Sequence, residues 1–127
     1  MRTCRPYIGA AALLLASLGA RGDDLTAGDR RLFADSLMSR GMYSLALEEY
    51  KAAAASGGNS AGMDVILSRL AECQRQTGDA RGAIATCERL AREWPQSPAR
   101  HNASLTHALA LESLGDAKGA SRLFDVI

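Results

Sequence analysis

The chain has 127 residues, enough for one domain with little room for a second. Hydrophobic residues make up 47% and aromatic residues only 5%, while 24 positions are Ala, which excludes wholesale disorder and leaves too few β-branched and aromatic side chains for a sandwich or barrel. Basic and acidic residues nearly balance, 15 against 14, which excludes a strongly cationic nucleic-acid binder. Ala, Leu, Arg and Glu all favour helix, so the expected fold class is all-α.

The N-terminus reads as a secretory signal peptide over residues 1–22. Arg2 and Arg5 precede an uncharged, mostly apolar run of 11 residues, Ile8 to Leu18, and small residues follow it. A spanning helix needs about 20 apolar residues, so this run is short for a membrane anchor. Cleavage fits after Ala20 or after Gly22. Cys4 stands before the apolar run rather than behind it, which is the wrong side for a lipidated cysteine. Losing Arg2, Arg5 and Arg21 with no acid leaves 12 basic against 14 acidic residues in the mature chain. The expected location is outside the cytoplasm, in a periplasm or secreted, with no membrane span after cleavage.

One internal period organises residues 23–127. Gly41-Met42-Tyr43-Ser44-Leu45-Ala46 recurs as Gly78-Asp79-Ala80-Arg81-Gly82-Ala83 and again as Gly115-Asp116-Ala117-Lys118-Gly119-Ala120, at a step of 37 residues. Seven residues before each Gly stands Ala34, Ala71 or Ala108, and nine after it stands Tyr50, Cys87 or Phe124. A glycine where one helix stops and the chain reverses suits the left-handed backbone of a helix C-cap. The flanking Ala columns mark where two paired helices approach closely, and the large column fills the space toward the next helix.

Amphipathic spacing agrees: Leu67, Leu70, Ala71 and Gln74 share a face with one polar lapse, and Leu105, Ala108, Leu111 and Leu114 share another. Breakers at Ser56-Gly57-Gly58-Asn59 and Trp94-Pro95-Gln96-Ser97-Pro98 separate the hairpins. The spacing predicts helices over 27–40, 43–56, 60–76, 80–93, 98–114 and 116–127. These group into repeats of 27–58, 60–95 and 98–127.

Motifs of chemistry are sparse. His101 and His107 are six apart and point to different helix faces, unlike the i, i+4 pair of a zinc motif, so no metal or other cofactor is expected. Gly57-Gly58 lacks the Gly-Lys-Ser/Thr of a phosphate loop, and no serine sits in a nucleophile elbow. Asn102-Ala103-Ser104 fits a glycosylation sequon, which matters only in a eukaryotic host. Arg21-Gly22-Asp23 straddles the expected cleavage site. The expectation is no enzyme. Cys73 and Cys87 fall on opposing helices of one hairpin and leave two readings open, a disulfide or two small buried hydrophobes.

The columns Ala34, Gly41, Tyr43, Ala46 and Tyr50, then Ala71, Gly78, Ala83 and Pro95, then Ala108, Gly115, Ala120 and Phe124, resemble the tetratricopeptide repeat family, with Cys87 replacing an aromatic. The 37-residue step exceeds the family's usual step of about 34, and Trp94-Pro95-Gln96-Ser97 is similar to a tyrosine-proline-x-serine exit. Both features resemble the bacterial envelope branch, typified by the Tol-Pal coordinator and the outer-membrane assembly lipoproteins. The resemblance implies a right-handed α-solenoid of about three antiparallel helix hairpins, acting as a non-catalytic scaffold or adaptor that takes a partner peptide or helix in its concave groove.

The family register places Arg31, Asp35 and Met38, then Glu72 and Arg75, then Asn102, Leu105, Leu109 and Glu112 on that inner wall. It does not reproduce the Lys/Asn clamp that some members use for a terminal carboxylate. The last repeat ends with Ala120, Leu123, Phe124 and Ile127 on one apolar side, so Leu123, Phe124 and Ile127 are an expected interface for self-association or for a protein partner. The alternative expectation is an N-terminal structural fragment of a longer envelope protein whose activity lies downstream.

Overall fold

A computed structural model of the chain describes residues 25–57 and 61–126. The expected signal peptide and Ile127 lie outside the described residues. Among these residues all regular structure is α-helical: α1 (Ala27–Ser39), α2 (Tyr43–Gly57), α3 (Met63–Gln76), α4 (Ala80–Glu93), α5 (Ala99–Ser113) and α6 (Ala117–Val126). Each helix packs on its neighbour in sequence, and α5 packs on α3 as well as on α4. The chain therefore runs as three helix hairpins, α1–α2, α3–α4 and α5–α6, placed side by side in chain order.

The same turn closes all three hairpins. Gly41, Gly78 and Gly115 have φ of +74°, +92° and +85°. The glycine N–H donates to the carbonyl three residues back, at Met38, Arg75 or Glu112, over 2.9, 3.1 and 3.0 Å. The next N–H, of Met42, Asp79 or Asp116, donates to the carbonyl five back, at Leu37, Gln74 or Leu111, over 3.0, 2.8 and 2.9 Å. This is a Schellman motif repeated at one step, and it satisfies carbonyls that each helix end would otherwise leave unpaired. A Cβ on any of these glycines would meet nothing within 4 Å, so the backbone conformation, not crowding, requires them.

The following helices start in two ways. Asp79 and Asp116 each accept the N–H three residues on, of Gly82 and Gly119, both at 2.9 Å. In each case a Cβ on the glycine would collide with the capping carboxylate. The first repeat carries Met42 and Leu45 at the corresponding positions and has no such cap. Upstream, α1 opens with a reciprocal capping box between Thr26 and Asp29, whose two backbone-to-side-chain bonds are each 3.1 Å. The start of α3 falls three residues later than the expected 60, because Gly62 holds φ +90° at its N-cap.

Both small columns are interior: Ala34, Ala46, Ala71, Ala83, Ala108 and Ala120 are all buried. Ala34, Ala46 and Ala71 share one core cluster with Tyr50, Met63, Ile66, Leu67, Leu70, Cys73, Cys87 and Leu90, and Trp94 packs against it. Leu67, Leu70 and Ala71 are buried as their spacing requires. Gln74, the polar lapse, accepts the Thr86 hydroxyl on Oε1 at 2.7 Å, so it ties α3 to α4.

The apolar face expected on α5 is corrected. Ala108 is buried, but Leu105 and Leu114 are 45% and 46% exposed. This helix turns Ala103, Thr106, Ala108 and Ala110 inward instead, because small residues let it sit close to α3 and α4. No described helix is long and apolar enough to cross a membrane.

Candidate interaction wall

The nine expected wall residues lie on the first helices of the three hairpins, and the structure divides them by what they do. On α1, Arg31 Nε lies 3.6 Å from Asp35 Oδ2. The Tyr50 hydroxyl, from α2, donates to Asp35 Oδ1 and lies 3.8 Å from Met38 Sδ. Burial and the Asp35 carboxylate together push the phenol far above its ordinary range, so it stays a donor. Asp35 and Met38 thus anchor Tyr50 beneath them. Leu32, one position from Arg31, is 63% exposed.

On α3, Arg75 grips Glu72 with two bonds, Nε at 3.0 Å and Nη2 at 2.7 Å. Gln76 adds a third donor at 2.9 Å, and Thr106 of α5 donates its hydroxyl to Glu72 Oε2 at 3.1 Å. Burial works against the Glu72 carboxylate. The bonds from Arg75, Gln76 and Thr106 outweigh it, and its pKa is held below the ordinary value. Glu72 is therefore a brace between hairpins rather than a free contact. Sequence reasoning misses Thr106 and Gln76, because a single Thr or Gln in mid-helix has no periodic signature.

On α5 the situation reverses. Asn102, Leu105 and Glu112 are exposed and Leu109 is half-buried. These positions are spaced i, i+3, i+7, i+10, which keeps them on one helix face. The nine expected positions thus comprise a charged pair on α1, a braced carboxylate on α3 and an open polar-apolar stripe on α5. The Asp35 and Glu72 carboxylates each face an arginine of their own helix, Arg31 and Arg75.

Elsewhere, Cys73 and Cys87 are buried free thiols. Burial, the largest influence on each, pushes Cys73 up to about 11 and Cys87 up to about 12, so both thiols stay protonated near neutral pH. His101 is exposed, whereas His107 is half-buried. Burial lowers the His107 pKa, with Glu88 of α4 opposing it. Among the described residues no three His, Cys, Asp or Glu side chains gather as a metal site would require.

On α6, Leu123 is half-buried and Phe124 is 43% exposed. Ala120 is corrected from that apolar outer side to the interior. No protein-family model matches the chain, and no curated protein matches it.

Proposed function

We propose that this chain is a non-catalytic protein-interaction scaffold of tetratricopeptide type, exported to a bacterial cell envelope through residues 1–22. In this reading the three hairpins form a right-handed solenoid, and α1, α3 and α5 line the concave wall that takes a partner's peptide or helix. The observation that carries it is the recurrence of one Gly-closed hairpin turn at a constant 37-residue step, with the same small columns buried each time. The stripe on α5 supplies the contacts: Leu105 is an accessible apolar anchor, with Asn102 and Glu112 as polar neighbours. The pairs Arg31–Asp35 and Glu72–Arg75 hold the shape of the wall.

The test is capture from the chain's own envelope extract with wild type and with Leu105→Glu. The variant changes an exposed side chain, so its melting temperature should match wild type. A partner retained by wild type and lost by Leu105→Glu supports the wall. An identical set of partners from both proteins contradicts it. For the export step, mass spectrometry of the protein from its host should find a mature N-terminus at Arg21 or Asp23. An intact Met1 on membrane-embedded material contradicts cleavage.

A further inference from the structure

We propose that two copies of this chain pair tail to tail through α6, in a closed two-fold dimer that leaves the wall on α1, α3 and α5 free. The repeat itself shows that the two sides of the stack differ. Where α3 carries the buried Met63, Ile66, Leu67 and Leu70, the positions 37 residues earlier are Thr26, Asp29, Arg30 and Phe33. Thr26 and Asp29 are exposed and bonded to each other, and Arg30 lies 3.4 Å from Glu49. Three of these four positions are polar and Phe33 is half-buried, so α1 lacks the apolar row that α3 carries there.

The α6 side is the opposite. In the column of large residues, Tyr50 is 0% exposed and Cys87 3%, each on a helix covered by the next hairpin, whereas Phe124 is 43% exposed. Head-to-tail stacking of copies would set Phe124 against the row that begins with Thr26, Asp29 and Arg30, which is mostly polar. Two α6 helices facing each other match like with like.

The sequence of α6 is self-complementary in the antiparallel sense. Helical spacing puts Ala117, Ser121 and Phe124 on one face, flanked by Lys118 and Asp125. Ser121 stands where α2 has Leu47 and α4 has Ile84, so a second helix can approach closely there. With the two-fold axis beside Ser121, Phe124 lies over Ala117 of the second copy, and Lys118 faces the second copy's Asp125. Each contact is then made twice, as an isologous interface requires. Among the described residues no ion pair uses Lys118 or Asp125, so both charges are available. The antiparallel arrangement also opposes the two helix dipoles favourably. The pairing does not depend on the wall's role.

Sedimentation equilibrium of the full chain should show a monomer–dimer equilibrium. Phe124→Ser should weaken it at least about tenfold, because it removes the one large apolar side chain at the contact. Lys118→Glu and Asp125→Lys each place like charges opposite one another twice, and each should weaken dimerisation about fivefold at low salt. The decisive arm mixes those two variants. In the mixed pair the carboxylate introduced at position 118 of one copy faces the amine introduced at position 125 of the other. The unaltered Lys118 of the second copy faces the unaltered Asp125 of the first. The mixture should therefore regain wild-type affinity as a heterodimer. Circular dichroism should be unchanged in both charge variants, whose altered side chains are solvent-exposed. A wild type that stays monomeric, a mixture that fails to regain dimerisation, or an α6 that binds another protein while the chain itself remains monomeric would overturn the proposal.

Discussion

The two junctions between hairpins solve the same problem with different chemistry. Between the first and second hairpins, α2 meets α3 through large side chains: Tyr50, Met63, Ile66 and Leu67 are all 2% exposed or less. Between the second and third, α5 brings Ala103, Thr106, Ala108 and Ala110 inward, and polar bonds join the partners. Thr106 reaches Glu72, and the Ser97 hydroxyl donates to Asp64 Oδ2 while accepting the Ala99 N–H at 3.0 Å. A fully buried large aliphatic or aromatic side chain contributes about 1.5–3 kcal/mol, whereas a net hydrogen bond contributes about 1 kcal/mol. The first junction should therefore carry most of the stability and the second most of the geometric definition. A repeated backbone does not imply repeated energetics.

The largest effect should come from truncating the apolar junction. Leu67→Ala should cost about 3 kcal/mol in urea denaturation, the middle of the range for a buried leucine that leaves a cavity. A loss near 1 kcal/mol would mean that the first junction collapses around the gap and is no firmer than the second.

Next come the turn glycines. Gly78→Ala and Gly115→Ala should each cost about 1–2 kcal/mol, since an L-residue in left-handed backbone carries that strain. The two values should agree, because neither site would crowd a Cβ. If Gly115→Ala were silent, the third hairpin would already be open in the native state.

The smallest single effect should be at the polar brace. Thr106→Ala should cost about 1 kcal/mol, since Glu72 keeps Arg75 and Gln76 as donors. A cost equal to that of Leu67→Ala would erase the contrast between the junctions. Acid sharpens it further. Burial holds the His107 pKa below 6.5, so as pH falls from 6.5 the unfolded chain binds protons first and stability drops. The Glu72 pKa is held below 4.5, so a second loss follows as pH falls beneath that value. Both groups sit on helices that meet at the α5 junction. In urea midpoints measured against pH, His107→Gln should flatten the upper loss and Glu72→Gln the lower one. Unchanged profiles would place the acid sensitivity elsewhere.

The hairpins are legible in the sequence because glycine at a fixed step can mean little else when small residues flank it at constant offsets. The six helices fall within a few residues of the ranges that spacing predicts. The later start of α3 comes from Gly62, a left-handed residue that an Ala- and Gly-rich connector does not single out. On α5, leucine periodicity suggests burial of the wrong face, while the helix buries its alanines to approach α3 and α4 closely. For the nine expected wall residues, the sequence places each on the first helix of a hairpin but does not reveal their pairings. Glu72 and Thr106 are 34 residues apart, and nothing in either residue's neighbourhood points to the other. Tyr50 is visible as a filler of space, and its hydroxyl's bond to Asp35 is not, because a phenol's packing and its donor are indistinguishable in a sequence column.

Native-state hydrogen exchange tests the inequality of the two junctions most directly. Amides of α1 to α4 should exchange only through global unfolding and share the highest free energy of opening. Amides of α5 and α6 should open as a separate unit at a free energy measurably below it, and Leu67→Ala should shrink that gap by lowering the global value alone. If the α5 and α6 amides instead exchange with the same opening free energy and denaturant dependence as those of α3, the molecule is one cooperative unit and the account of a strong first junction and a weaker second one is wrong.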